Sequence, residues 1–140
     1  MRSTLQVGLS ASEQYVVTPD LTVPNLLPNA PAFRVMPRVL ATGYMIGLIE
    51  WTCIKAVRGH LDDGEQSLGV HVNLSHEAPS PIGSCVTIDV KLIELDGRSM
   101  VWEVHAYDEV ATICKGTHGR AVINRAKFDA RLEGREGVGE

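Results

Sequence analysis

Cysteine is sparse in this sequence and its spacing forms no pattern. Cys53, Cys85 and Cys114 are an odd, widely separated set with no CxxC motif, which excludes the disulfide scaffolds and zinc modules that close-set cysteines build. They read as reduced core thiols of a cytoplasmic protein. Basic charge is short as well. Thirteen Lys and Arg against 17 Asp and Glu give a net charge of −4, the wrong balance for a surface that must neutralise phosphates, so nucleic acid is not an expected partner. No apolar run is long enough to span a bilayer, and MRSTLQVGLSASEQ at the N-terminus lacks the apolar stretch of a secretory signal, so no membrane is expected either. Gly-rich phosphate loops are missing, which speaks against nucleotide-dependent chemistry. His76-Glu77 opens like HExxH but lacks the second His, and no metal is expected.

What remains is an ordinary globular composition, 44% hydrophobic and 21% charged over 140 residues. That fits one domain spanning 1–140, with the Gly- and charge-rich end Glu133 to Glu140 expected to fray or be disordered. Thr18 to Pro37 holds five of the seven prolines and reads as an extended, looping approach after a short strand at Glu13 to Val17. From about Pro37 to His60, apolar residues populate most faces of a helix, which predicts a buried one. Gly43 and Gly47 lie on one side of it, where another backbone can approach or the helix can bend. Asp62-Asp63-Gly64 closes the run.

The period then shifts to two. Val70, Val72 and Leu74 alternate with polar residues, as do Val86, Ile88, Val90 and Leu92, and a parity change at Ile93 predicts a bulge. Asp96-Gly97 marks a hairpin into Met100 to Ala106, and Val110 to Asn124 follows as a last strand. One long helix and an antiparallel meander, with an N-terminal strand to complete the sheet, outline an α+β hotdog fold. A cystatin-like cone is the nearest competitor, though it places more helix before its strands.

The puzzle is Glu50, a carboxylate inside the apolar run YMIGLIEWTCI. It either reaches water at the sheet edge or has a partner that offsets its desolvation. His76, at the parity of Val70, Val72 and Leu74, is the best candidate partner, although a His on such a face is often a satisfied core residue. Thr42 lies eight residues before Glu50, roughly 12 Å of helical rise, too far for direct contact but within reach of a bridging imidazole. A carboxylate, an imidazole and a hydroxyl together suit acyl transfer. Arg120 shares a strand parity with His118 and is either a solvated edge residue or an anchor for a carboxylate, phosphate or thioester oxygen. Gly69 is either a turn glycine or a backbone N–H for an oxyanion. Trp51 and Trp102 read as core or interface aromatics.

At these residues the chain resembles the fluoroacetyl-CoA thioesterase family of hotdog proteins. The resemblance rests on ATGYMIGLIEWTCIKAV (Ala41 to Val57), SLGVHVNLSHEAPSPIG (Ser67 to Gly83) and GTHGRAVINRAKF (Gly116 to Phe128), and covers about Val16 to Phe128. It implies a homodimer with catalytic Thr42, Glu50 and His76 and with Gly69 and Arg120 contacting substrate. It also implies a lid ahead of the helix, where Phe33 stands and where Met36 takes the position of the family's fluoroacetate-selecting phenylalanine. The implied reaction is hydrolysis of a short or activated acyl-CoA to free acid and CoA, with coenzyme A as part of the substrate and no cofactor. An enoyl-thioester hydratase and a non-catalytic acyl-CoA-binding module are the alternatives.

Overall fold

The computed structural model describes residues 1–136. Its strands are β1 (Ser10–Val16), β2 (Glu65–Leu74), β3 (Cys85–Asp96), β4 (Ser99–Tyr107) and β5 (Thr112–Asn124). Its helices are α1 (Pro31–Arg34), α2 (Thr42–Val57) and α3 (Arg125–Glu136). The strands form one antiparallel sheet in the order β1-β3-β4-β5-β2. Helix α2 lies between the two edge strands in sequence and packs against β1 and β3. This is the expected hotdog arrangement.

Strict alternation explains the sheet. Val86, Ile88, Val90 and Leu92 of β3 are buried, as are Met100, Trp102, Val104 and Ala106 of β4, and the register sets Leu92 opposite Trp102 and Ile88 opposite Ala106. The parity change at Ile93 is a bulge between Leu92 and Glu94. Asp96 pairs with Ser99, so the two central turn residues are Gly97 and Arg98, one place later than the Asp-Gly signal suggests. Gly97 takes φ +58°, the positive value that a type II′ hairpin requires at its first central position.

Helix α2 buries Met45, Ile49, Cys53 and Val57, one residue per turn along a single stripe. Burial of Met45, Ile49 and Val57 contributes about 1.5–3 kcal/mol each. The helix is shorter and less enclosed than its composition suggests. Val39 and Leu40 are extended, bridging Pro81 and Thr22, and the amide of Leu40 donates to Ser80, so these residues have no free backbone groups for a helical turn. Trp51 and Ile54 stay exposed. Of the two glycines, Gly43 is closely approached by the Leu26 side chain, while nothing stands within 4 Å of where a Cβ would project from Gly47.

Two further expectations change. Val70 and Val72 are not buried: they are exposed, with Leu68, on edge strand β2, where residues of both parities from 68 to 73 are exposed. At the C-terminus the chain does not fray at Glu133. Asn124 Oδ1 accepts from the Lys127 amide at 3.1 Å and Arg125 pairs with Asp129 one turn on, starting a helix that runs to Glu136. The rest of the expected tail, 137–140, lies outside the described residues.

Candidate active site

Thr42 is the first residue of α2, and its hydroxyl lies 2.7 Å from His76 Nδ1. His76 is not on the strand, which ends at Leu74. It sits in the following loop, pinned by the Ser75 amide to Lys115 O at 2.9 Å and the Glu77 amide to Ile113 O at 2.6 Å. The loop thus places a half-buried imidazole beside the start of α2, against a cleft of about 290 Å³ formed with Val23, Val39, Leu40 and Pro79. Burial holds the His76 pKa below the ordinary imidazole value. Its Nε2 is buried without a hydrogen-bond partner among the described residues. With Nδ1 accepting the threonine proton, Nε2 carries the ring N–H, and a buried donor of that kind costs about 1–3 kcal/mol until an acceptor meets it.

Glu50 is not that acceptor within the chain, so the imidazole bridge expected from the sequence does not form. Two turns farther along α2, Glu50 Oε2 accepts from Arg120 Nη1 at 2.7 Å. The pair is asymmetric: the Arg120 side chain is 2% exposed and that of Glu50 38%. Glu50 is therefore neither fully buried nor free. Arg120 lies on β5, between β4 and β2, and is no edge residue. Its Nε donates to Ser67 Oγ at 3.0 Å, its Nη2 to Ser67 O at 2.8 Å and its Nη1 also to His118 Nε2 at 3.2 Å. Four of its five N–H donors are so engaged, leaving one on Nη2.

Gly69 stands directly across the sheet from Arg120. A Cβ there would lie 2.6 Å from Glu50 Oε2, so the missing side chain makes room for the carboxylate. Phe33 in α1 is half-buried and Met36 is 48% exposed. Their segment is tied to the start of α2 by Leu26 against Gly43 and by the Tyr44 hydroxyl donating to Asn25 O at 3.2 Å, the end of the helix that carries Thr42.

The seven sequence candidates thus fall into two groups. Thr42 and His76 form a hydrogen-bonded hydroxyl and imidazole pair at one end of α2, with Phe33 and Met36 on the neighbouring segment. Glu50, Gly69 and Arg120 form a carboxylate seat two turns away. Ser67 and His118 complete that seat and carried no role in the sequence reading. Their trace is a pair of period-two motifs, Ser67-x-Gly69 and His118-x-Arg120, on strands that face each other in the sheet. Among the described residues no helix is long and apolar enough to cross a membrane.

A hydroxyl in hydrogen-bond contact with an imidazole beside a cleft of a hotdog fold fits a thioester hydrolase of the hotdog class, and comparison with known proteins bears on it directly. The profile of the fluoroacetyl-CoA-specific thioesterase family matches residues 17–126. The fluoroacetyl-CoA thioesterase of Streptantibioticus cattleyicolor is 42% identical over 132 residues, covering 94% of this chain and 95% of that protein. The solved structure of the fluoroacetyl-CoA thioesterase FlK superposes with a TM-score of 0.92 at 41% identity, covering 95% of this chain and 98% of that one. A Thermus thermophilus thioesterase superfamily member reaches 0.83 at 26% identity, covering 97% and 98%. The chain belongs to the fluoroacetyl-CoA-specific thioesterase family.

Proposed function

We propose that this protein hydrolyses a short or activated acyl-CoA, of the fluoroacetyl-CoA type, to the free acid and CoA. The observation that carries the reading is the 2.7 Å contact of the Thr42 hydroxyl with His76 Nδ1, beside an open cleft. Nδ1 takes the hydroxyl proton as Thr42 Oγ1 attacks the thioester carbonyl. The C–S bond then breaks, and the imidazolium returns the proton to the departing thiolate. Water, deprotonated in turn by His76, attacks the acyl-threonine ester, the bond from the acyl carbon to Thr42 Oγ1 breaks, and the imidazolium returns the proton to that oxygen as the acid leaves. A relative of this chain, FlK, is known in complex with acetyl-CoA and with fluoroacetate and CoA, which supports a CoA thioester as substrate.

The same reading makes the working unit a homodimer. His76 Nε2 lacks an acceptor among the described residues, while Glu50 presents a carboxylate 38% exposed at a distance along α2. A second copy of the chain, docked on β2, supplies the acceptor: each site takes Thr42 and His76 from one subunit and Glu50 from the other. The exposed Leu68, Val70 and Val72 on an edge strand, and the open face at Gly47, are the surfaces such a partner covers.

The test is release of free thiol from acetyl-, fluoroacetyl-, longer-chain and aromatic acyl-CoAs, beside a His76→Ala control. Release lost in the control supports the reading. An unchanged rate in the control, or no release from any thioester, overturns it.

A further inference from the structure

The hydrogen-bond directions around Arg120 assign a role to a residue that touches no substrate. His118 is 1% exposed, and its Nδ1 lies 2.8 Å from the His71 carbonyl oxygen. A carbonyl oxygen only accepts, so Nδ1 carries the hydrogen. In a neutral ring Nε2 is then an acceptor, and Arg120 Nη1 donates to it at 3.2 Å. That same Nη1 donates its other hydrogen to Glu50 Oε2 at 2.7 Å. Both hydrogens of one guanidinium nitrogen are thereby aimed, one by His118 and one at the carboxylate, and Ser67 fixes the opposite side of the guanidinium.

We propose that His118 is a positioning residue, a neutral imidazole that orients Arg120 and through it fixes the Glu50 carboxylate for catalysis. A charged imidazole cannot do this, because its Nε2–H would point at an Arg120 N–H and bring two cations within 3.2 Å. The groups facing His118 are Arg120 on its own strand, His71 on β2 and Glu50 on α2. Burial, with the Arg120 guanidinium and His71 adding to it, outweighs the His71 carbonyl and Glu50 and keeps the ring below its ordinary pKa. Gly69 leaves room for the same oxygen, Oε2, that Arg120 holds, since a Cβ there would stand 2.6 Å from it. This deepens the reading of Glu50 as a catalytic carboxylate and rests on it.

Two experiments test the proposal. The first uses the wild-type protein: long-range ¹H–¹⁵N correlation spectra of the imidazole rings at neutral pH report the His118 tautomer. A neutral Nδ1–H ring is expected, and an Nε2–H or charged ring overturns the proposal. The second compares His118→Gln, which keeps an acceptor where Nε2 stands, with His118→Leu, which has none. His118→Leu lowers kcat by about 10- to 100-fold, the effect of a misplaced catalytic group, with KM nearly unchanged, and His118→Gln recovers most of the loss. In a Glu50→Gln background, His118→Leu costs nothing further. If Glu50→Gln is inactive but both His118 variants keep wild-type kcat, the positioning role is refuted while the carboxylate role stands. If Glu50→Gln itself turns over fully, the underlying reading fails instead. Should His118→Leu not fold, the tautomer and the His118→Gln kcat decide.

Discussion

The point where a Cβ on Gly69 would stand lies 2.6 Å from Oε2 of Glu50. The glycine is therefore a vacancy shaped for a carboxylate, and Gly69→Ala should act on that carboxylate alone. The obstructing atom ends a flexible side chain, so the fold yields cheaply, with a stability change under about 1 kcal/mol. The displaced Glu50 loses its Arg120 geometry, and kcat falls while the thermal midpoint stays close to wild type. Steady-state kinetics beside a melting curve checks this, and an unaffected kcat would show that the exact seat of the carboxylate does not matter.

A dimer with composite sites makes a sharper prediction. Glu50→Gln and His76→Ala chains, each inactive alone, are unfolded together, refolded and assayed. Random pairing makes half the dimers mixed, each with one intact site, and so restores about a quarter of wild-type activity. Sites built within one chain restore none.

In the proposed dimer two opposed influences act on the His76 imidazole. Burial holds its pKa below the ordinary imidazole value, about 6.5, and a partner's Glu50 carboxylate against Nε2 raises it. Within one chain burial sets the sign: between the folded and unfolded values the unfolded chain binds the proton and the folded one does not, so His76 contributes stability that is lost as pH falls through the folded value. Removing the carboxylate with Glu50→Gln is expected to move the His76 titration, followed by imidazole NMR, to lower pH, and an unmoved titration would contradict the composite site.

Acyl selectivity is tested at Met36. A flexible thioether reshapes around different acyl groups, whereas an aromatic ring at the same place is a stiffer wall. Met36→Phe is expected to raise the ratio of kcat/KM for fluoroacetyl-CoA over acetyl-CoA several-fold. An unchanged ratio would remove residue 36 from the acyl pocket.

Gly116 is a purely structural position. At φ +145° its missing Cβ would stand 2.0 Å from the Asn73 carbonyl oxygen, and backbone cannot move aside as a side chain can. Gly116→Ala should destabilise the fold by about 3 kcal/mol or more, read as a lowered urea midpoint, and should loosen the adjoining His76 loop.

Much of this was legible in the sequence because period and parity carry it. The alternation of Val86 to Leu92, the parity break at Ile93 and the turn near Gly97 each reflect a local rule that tertiary packing did not override. Helix α3 was not legible: RAKFDARLEGRE has almost no apolar stripe, and its start depends on the Asn124 cap. The exposure of Val70 and Val72 is not legible, because alternation does not tell that β2 is an edge strand exposed at both parities. Thr42, Glu50 and His76 were identified mainly by resemblance. Their separation into two groups is a matter of three-dimensional reach: His76 lies in a loop whose path is set by its backbone bonds to β5.

Those backbone bonds have an evolutionary side. The His76 imidazole is moored by main-chain contacts that accept nearly any side chain around them. Val23, which lines the cleft beside it, opens a segment to Pro37 that is assembled from short turns and exposed residues such as Val35 and Met36. Mutations can accumulate on that segment at little cost to the fold. Under the proposed function, descendants of this scaffold can exchange one acyl diet for another through a few substitutions there.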